Sequence, residues 1–164
     1  MVDVQIRRAK PEEAGVLTEI AHAAKRHWGY PENWIQHWQA DLTITPEFIA
    51  NNEMYVAVEG EEIVGCCAIA FSESLAELEH MWIRPDYIGT GVGRALFLQV
   101  KERAANLKIP ALEISADPNA EGFYQRMGAK RIGEIQSEIE GRPRLLPRLS
   151  VDLNSVYKKE PPGW

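Results

Sequence analysis

The densest chemical signal in the chain is Ile88-Gly89-Thr90-Gly91-Val92-Gly93-Arg94-Ala95-Leu96, where three glycines alternate. Glycine lets the backbone turn sharply and lets a ligand approach the amides. The run opens an amphipathic repeat, with Val92, Leu96, Val100 and Ala104 on one face. The first N–H groups of a helix lack internal acceptors and lie at its positive end, so this turn suits a phosphate or pyrophosphate. Neither the Rossmann GxGxxG spacing nor the Gly-Lys-Ser/Thr of a Walker loop is present, so the usual nucleotide readings do not fit. A second signal is Asn119-Ala120-Glu121-Gly122-Phe123-Tyr124-Gln125-Arg126-Met127-Gly128-Ala129. Phe123 and Met127 are four apart and share a helix face, while Tyr124 points elsewhere. Two carboxylates, Glu77 and Glu79, alternate in a strand-like run and so share one face, with His80 on the other. The stretch His27–Trp38 is crowded with rings: His27, Trp28, Tyr30, Trp34, His37 and Trp38.

These residues need a frame. Val4-Gln5-Ile6 reads as a first strand, and Pro11 opens a helix that runs to about His27. Pro31 can open a second short helix, and Thr45-Pro46-Glu47 looks like the cap of another. Strands are expected near Met54–Val58 and Ile63–Phe71, joined by Glu59-Gly60-Glu61-Glu62, and then at Leu75–Ile83, which Arg84-Pro85 ends. After the glycine turn and its helix come a strand at Ala111–Ser115 and a helix at Pro118–Met127. Asp117 or Ser115 caps that helix and Gly128 stops it. Two strands close the chain, near Lys130–Ile139 and Leu146–Leu153, with Gly141-Arg142-Pro143 between them. The order predicts an α/β (α+β) fold, a mostly antiparallel mixed sheet flanked by helices, in one domain over residues 1–157 with a frayed tail at 158–164.

Bulk properties narrow the function. The 164 residues suit one core, and a net charge of -6 argues against nucleic acid as partner. No run is long or apolar enough for a membrane span, and a cytoplasmic protein is the default expectation. Cys66 and Cys67 are adjacent, so they point apart and cannot form an ordinary disulfide. No Cys/His ligand spacing exists, so no metal site is expected.

The two motifs, in this order and spacing and followed by a closing pair of strands, resemble the GNAT superfamily of acyl-CoA-dependent N-acetyltransferases. The resemblance covers roughly Met54 to Leu153. It implies acetyl-CoA as co-substrate, with the backbone of Gly89, Thr90, Gly91, Val92, Gly93 and Arg94 holding the pyrophosphate. It also implies that Met81, Trp82 and Ile83 offer backbone groups to the pantetheine arm, that Asn119 touches the cofactor and that Tyr124 is the general acid. Ile88 departs from the family pattern, which has Gln or Arg there; the main donors are backbone, so binding should survive.

Acetyl transfer needs a neutral amine, and a lysine-like amine has a pKa of about 10.4, so a base must take its proton. Glu79 is slightly favoured, being nearer the cofactor end, with Glu77 close behind. Trp28, Tyr30 and Trp34 are the candidate wall for the acceptor. Arg142, Arg144 and Arg148 are candidates for an acidic part of the acceptor or for closing a dimer. The expected partner is a small-molecule or peptide amine. The oligomeric state is open, with a homodimer the first guess. The competing reading is a GNAT-like module that holds acyl-CoA without catalysis; retention of Tyr124, Glu77 and Glu79 favours the enzyme.

Overall fold

The computed structural model describes residues 1–154. The expected domain end at 157 and the expected tail at 158–164 lie outside the described residues. Seven strands form one sheet: β1 (Gln5–Arg8), β2 (Glu53–Glu59), β3 (Glu62–Phe71), β4 (Ala76–Ile83), β5 (Ala111–Ser115), β6 (Lys130–Ile139) and β7 (Arg142–Asp152). Their order is β1-β2-β3-β4-β5-β7-β6. Every neighbouring pair is antiparallel except β4 and β5. Four helices lie between β1 and β2: α1 (Ala14–His27), α2 (Glu32–His37), α3 (Gln39–Leu42) and α4 (Pro46–Asn51). The helix α5 (Val92–Asn106) links β4 to β5, and α6 (Glu121–Arg126) links β5 to β6. Among the described residues no helix is long and apolar enough to cross a membrane.

The apolar periodicity fixes which face each helix buries. On one side of the sheet Val92, Leu96, Phe97 and Val100 of α5 pack with Tyr55, Cys67, Leu112 and Leu149. On the other, Leu17, Ile20 and Ala21 of α1 pack with Ile35, Leu42 and Ile49 against Val56, Cys66 and Ala68. Cys66 and Cys67 thus enter opposite cores as free thiols. Burial pushes the Cys66 thiol up to about 12, which leaves it inert as a nucleophile.

The caps are local and follow the sequence. Thr45 Oγ1 accepts from the Phe48 N–H at 3.0 Å, and Asp117 accepts from the Asn119 N–H at 2.9 Å. The last hairpin differs from expectation. Its turn is only Glu140-Gly141, both with positive φ (50° and 76°), and Arg142 and Pro143 already belong to β7. Positive φ at both central residues matches the twist of a tight hairpin, so pairing with β6 begins at once.

β4 and β5 pair only from Ala76–Leu78 to Leu112–Ile114. Among the described residues, β4 beyond Leu78 is paired with β3 alone. The two parallel strands therefore part and leave a notch in the middle of the sheet.

Candidate active site

A cleft of about 600 Å³ opens at that notch. Glu79 to Ile83 of β4 line one wall, and Ser115, Ala116 and Asp117 at the end of β5 face them. The glycine turn closes one end, and α6 covers a side with Phe123 and Tyr124. Met81, Trp82 and Ile83 thus border the cleft, on the strand edge that β5 leaves unpaired.

The glycines of the turn do different jobs. Gly89 and Gly91 have φ of 81° and 96°, a region costly for side chains. Gly93 is ordinary in backbone, but a Cβ there would sit 3.2 Å from the Phe123 ring. Its missing side chain leaves room for the Phe123 ring of α6. Among the described residues, the N–H groups of Gly89, Gly91, Val92, Gly93 and Arg94 donate to no protein acceptor. Thr90 differs from its neighbours: its N–H and its hydroxyl both go to the Tyr87 carbonyl, so its amide is spent on holding the turn. Val92 buries its side chain completely in the α5 core. The remaining free donors at a helix start fit a pyrophosphate.

The carboxylates do not stay together. In the β3–β4 ladder Ala68 pairs with His80 and Ile69 with Leu78, so Glu79 is an extra residue, a β-bulge. The bulge breaks the two-residue period on which a shared face for Glu77 and Glu79 depended. Glu77 turns to Arg148, whose Nη2 donates to it at 3.0 Å and to Glu113 at 2.6 Å. Glu79 is exposed, lines the cleft and has no ion-pair partner among the described residues. The bulge also brings His80 into the cleft wall, where an opposite, packing face was expected. Its Nδ1 accepts from Trp82 Nε1 at 2.9 Å, which places its own hydrogen on Nε2. Burial lowers its pKa, opposed by nearby Asp41, so the ring is neutral at pH 7.

Tyr124 is 5% exposed, packed against Phe97 and Phe123, and borders the cleft. Burial drives its pKa well above the usual value, so the phenol holds its proton at any physiological pH.

The ring-rich segment divides. Trp28 lines the cleft. Tyr30 and Trp34 are not part of its lining; they join Trp38 in an aromatic box, with ring centroids 5.0–5.9 Å apart. Lys25 and Arg144 lie on that box, 4.3 Å and 4.9 Å from the Trp38 centroid. Both cations meet Asp117, at 2.7 Å and 3.3 Å. Burial lowers the Lys25 ammonium in spite of this pair. Burial would raise Asp117, but Lys25 and the surrounding donors outweigh it and hold the carboxyl low. Asn119 joins through its Nδ2, 2.9 Å from Asp117 and 3.0 Å from the Tyr30 hydroxyl. Asp117 is legible in the sequence only as a cap, and nothing there pairs it with Lys25, which lies four residues after Ala21 on the buried face of α1.

A family model described as an acetyltransferase (GNAT) domain matches residues 17–140. An uncharacterised N-acetyltransferase of Chlorobaculum tepidum is 27% identical over 132 residues, 79% of this chain and 77% of that protein. A peptidyl-lysine N-acetyltransferase of Escherichia coli is 25% identical over 124 residues, 75% of this chain and 81% of that protein. The fold is shared with an N-acetyltransferase of Thermoplasma acidophilum solved with coenzyme A, at TM-score 0.74 and 17% identity, covering 92% of this chain and 99% of that one. The chain belongs to the GNAT acetyltransferases. It is accordingly an N-acetyltransferase whose acyl donor is acetyl-CoA.

Proposed function

We propose that this protein acetylates an alkylamine, on a small molecule or a peptide lysine, by direct transfer with Glu79 as general base and Tyr124 as general acid. The observation that carries this reading is the β4 bulge. It leaves Glu79 in the cleft without an ion-pair partner among the described residues, while Arg148 engages Glu77. A lysine-type acceptor is favoured by the likeness to the peptidyl-lysine N-acetyltransferase of E. coli.

Bound acetyl-CoA supplies an activated carbonyl and a thiolate leaving group. The residues of the chain do the rest. Gly89, Gly91, Val92, Gly93 and Arg94 offer N–H donors to the pyrophosphate. The free edge of Met81–Ile83 offers ladder groups to the pantetheine amides, and Asn119 contacts the arm. Glu79 takes the proton that a protonated amine must lose, directly or through one water. Tyr124 holds the proton that a departing thiolate needs. Trp28, which lines the cleft, offers an aromatic wall to an incoming ammonium. We place this activity in one domain and in the cytoplasm, and we propose a homodimer joined along β6.

The test is steady-state kinetics with a lysine peptide and small amines. Glu79→Gln should lower kcat by about 10²-fold or more, within the usual range for general acid–base groups. Tyr124→Phe should lower kcat while coenzyme A affinity stays nearly constant. Glu77→Gln should leave kcat close to wild type. A Glu77 effect larger than the Glu79 effect would reverse the assignment. A folded wild type that binds acetyl-CoA and acetylates none of the amines would favour a binding module.

A further inference from the structure

We propose that Tyr30 is a positioning residue for the cofactor contact of Asn119, acting through its hydroxyl. The inference rests on the acetyl-CoA reading, because Asn119 is taken there to face the cofactor.

A phenol hydroxyl has one hydrogen to give and two lone pairs. Tyr30 uses all three. It donates to the Asp117 carboxylate, 3.0 Å from each oxygen. It accepts from Asn119 Nδ2 at 3.0 Å and from Arg144 Nη2 at 2.6 Å. Asn119 is constrained in turn. Its amide nitrogen has two hydrogens, and their acceptors are Tyr30 Oη and Asp117 Oδ1, the latter at 2.9 Å. With both donors used, the polar atom left for a ligand in the cleft is Oδ1, an acceptor only. The pantetheine arm of coenzyme A carries amide N–H groups, which is the chemistry such an oxygen takes.

The opposite flip of the Asn119 amide would aim Oδ1 at the Asp117 carboxylate and lose both bonds. The pairing of Tyr30 and Asp117 therefore selects the orientation. Tyr30 is drawn from 89 residues away. It belongs to the segment first expected to contact the acceptor, yet its hydroxyl points at the cofactor wall. Asp117 alone would leave Asn119 with one anchor; Tyr30 supplies the second.

Tyr30→Phe isolates the hydroxyl. It keeps the ring that stacks on Trp34, meets Trp38 edge-on and underlies Lys25 and Arg144. Coenzyme A affinity should be measured by titration calorimetry for wild type, Tyr30→Phe, Asn119→Ala and the double variant. Loss of one oriented hydrogen bond predicts a Kd about fivefold higher for Tyr30→Phe. The double variant should bind no more weakly than Asn119→Ala, since Tyr30 acts through Asn119. At saturating acetyl-CoA, kcat for Tyr30→Phe should fall by less than about twofold, a KM effect rather than a turnover effect. Additive losses in the double variant would overturn the proposal. So would an unchanged Kd with only a lower melting temperature, which marks a merely structural hydroxyl. Should Tyr30→Phe not fold, an unchanged Kd in exposed Asn119→Ala overturns the proposal by itself. A folded wild type that binds no coenzyme A overturns the cofactor reading first, and this inference with it; a wild type that binds while the variants add overturns this inference alone.

Discussion

Asp117 accepts hydrogen bonds from Lys25, Tyr30, Arg144 and Asn119, so the end of α1 and strand β7 converge on a carboxylate that its own turn also caps. Burial raises its pKa and the cations around it more than reverse that, so the folded carboxyl titrates below its ordinary value. A depressed carboxyl contributes stability that is fully present above its unfolded pKa, about 3.9, and is lost as pH falls through the folded value. Lys25 has the other sign. Burial disfavours its charged form, so its contribution improves as pH rises from its lowered folded value toward about 10.4. Asp117→Asn would leave two cations facing one neutral amide. Breaking a buried pair costs about 3–5 kcal/mol, and the partial exposure here reduces that to about 2–3 kcal/mol at pH 7. The gap from wild type should shrink below about pH 3.9. Urea denaturation at neutral and acidic pH measures both; a gap independent of pH would mean that Asp117 does not titrate with folding.

Two elements place the chemistry, the glycine turn and the β4 bulge. Gly93 shows how closely α5 and α6 depend on each other. A methyl at this position meets the Phe123 ring at 3.2 Å, which a small shift can absorb. Alanine also gains up to about 1 kcal/mol of helix propensity over glycine. Gly93→Ala should therefore melt near wild type. Gly93→Val has no such relief and should lose about 1–3 kcal/mol by overpacking, with weaker coenzyme A binding as α6 moves. Thermal melts and calorimetry decide it, and a well-tolerated valine would remove the packing role. The glycine run, the Thr45 cap and the β2–β3 hairpin around Gly60 were legible because each is set by neighbours in sequence. The bulge was not. Nothing in Ala76–Ile83 marks Glu79 as an extra residue, because the count is imposed by pairing with β3 across a change of register. For the same reason Glu77 and Glu79 read as equivalent. The Lys25–Asp117 and Arg144–Asp117 pairs span 92 and 27 residues, separations at which sequence pattern carries no signal. Arg144 and Arg148, expected for an acceptor or a dimer, instead pair with Asp117, Glu77 and Glu113 inside the chain.

At the scale of the whole molecule the sheet is unevenly covered. α5 and α1 protect its centre, while β6 at one end is exposed on every residue from Lys130 to Glu138. Ile132, Ile135 and Leu145 of that hairpin are 56%, 38% and 50% exposed. An edge strand presents unpaired N–H and C=O groups and readily pairs with another chain. Apolar side chains on the same strand add to the gain when water is excluded. These features support the proposed homodimer along β6, two copies related by a two-fold axis. The cleft lies at β4 and β5, with β7 between it and β6. Association and chemistry should therefore separate. Ile132→Glu with Ile135→Glu should convert a dimer into a monomer by light scattering and leave coenzyme A affinity unchanged. The charged variant keeps its fold because both side chains already face solvent. A wild type that scatters as a monomer at high concentration would end the dimer proposal. A dimer that survives both glutamates would move the interface elsewhere on the surface.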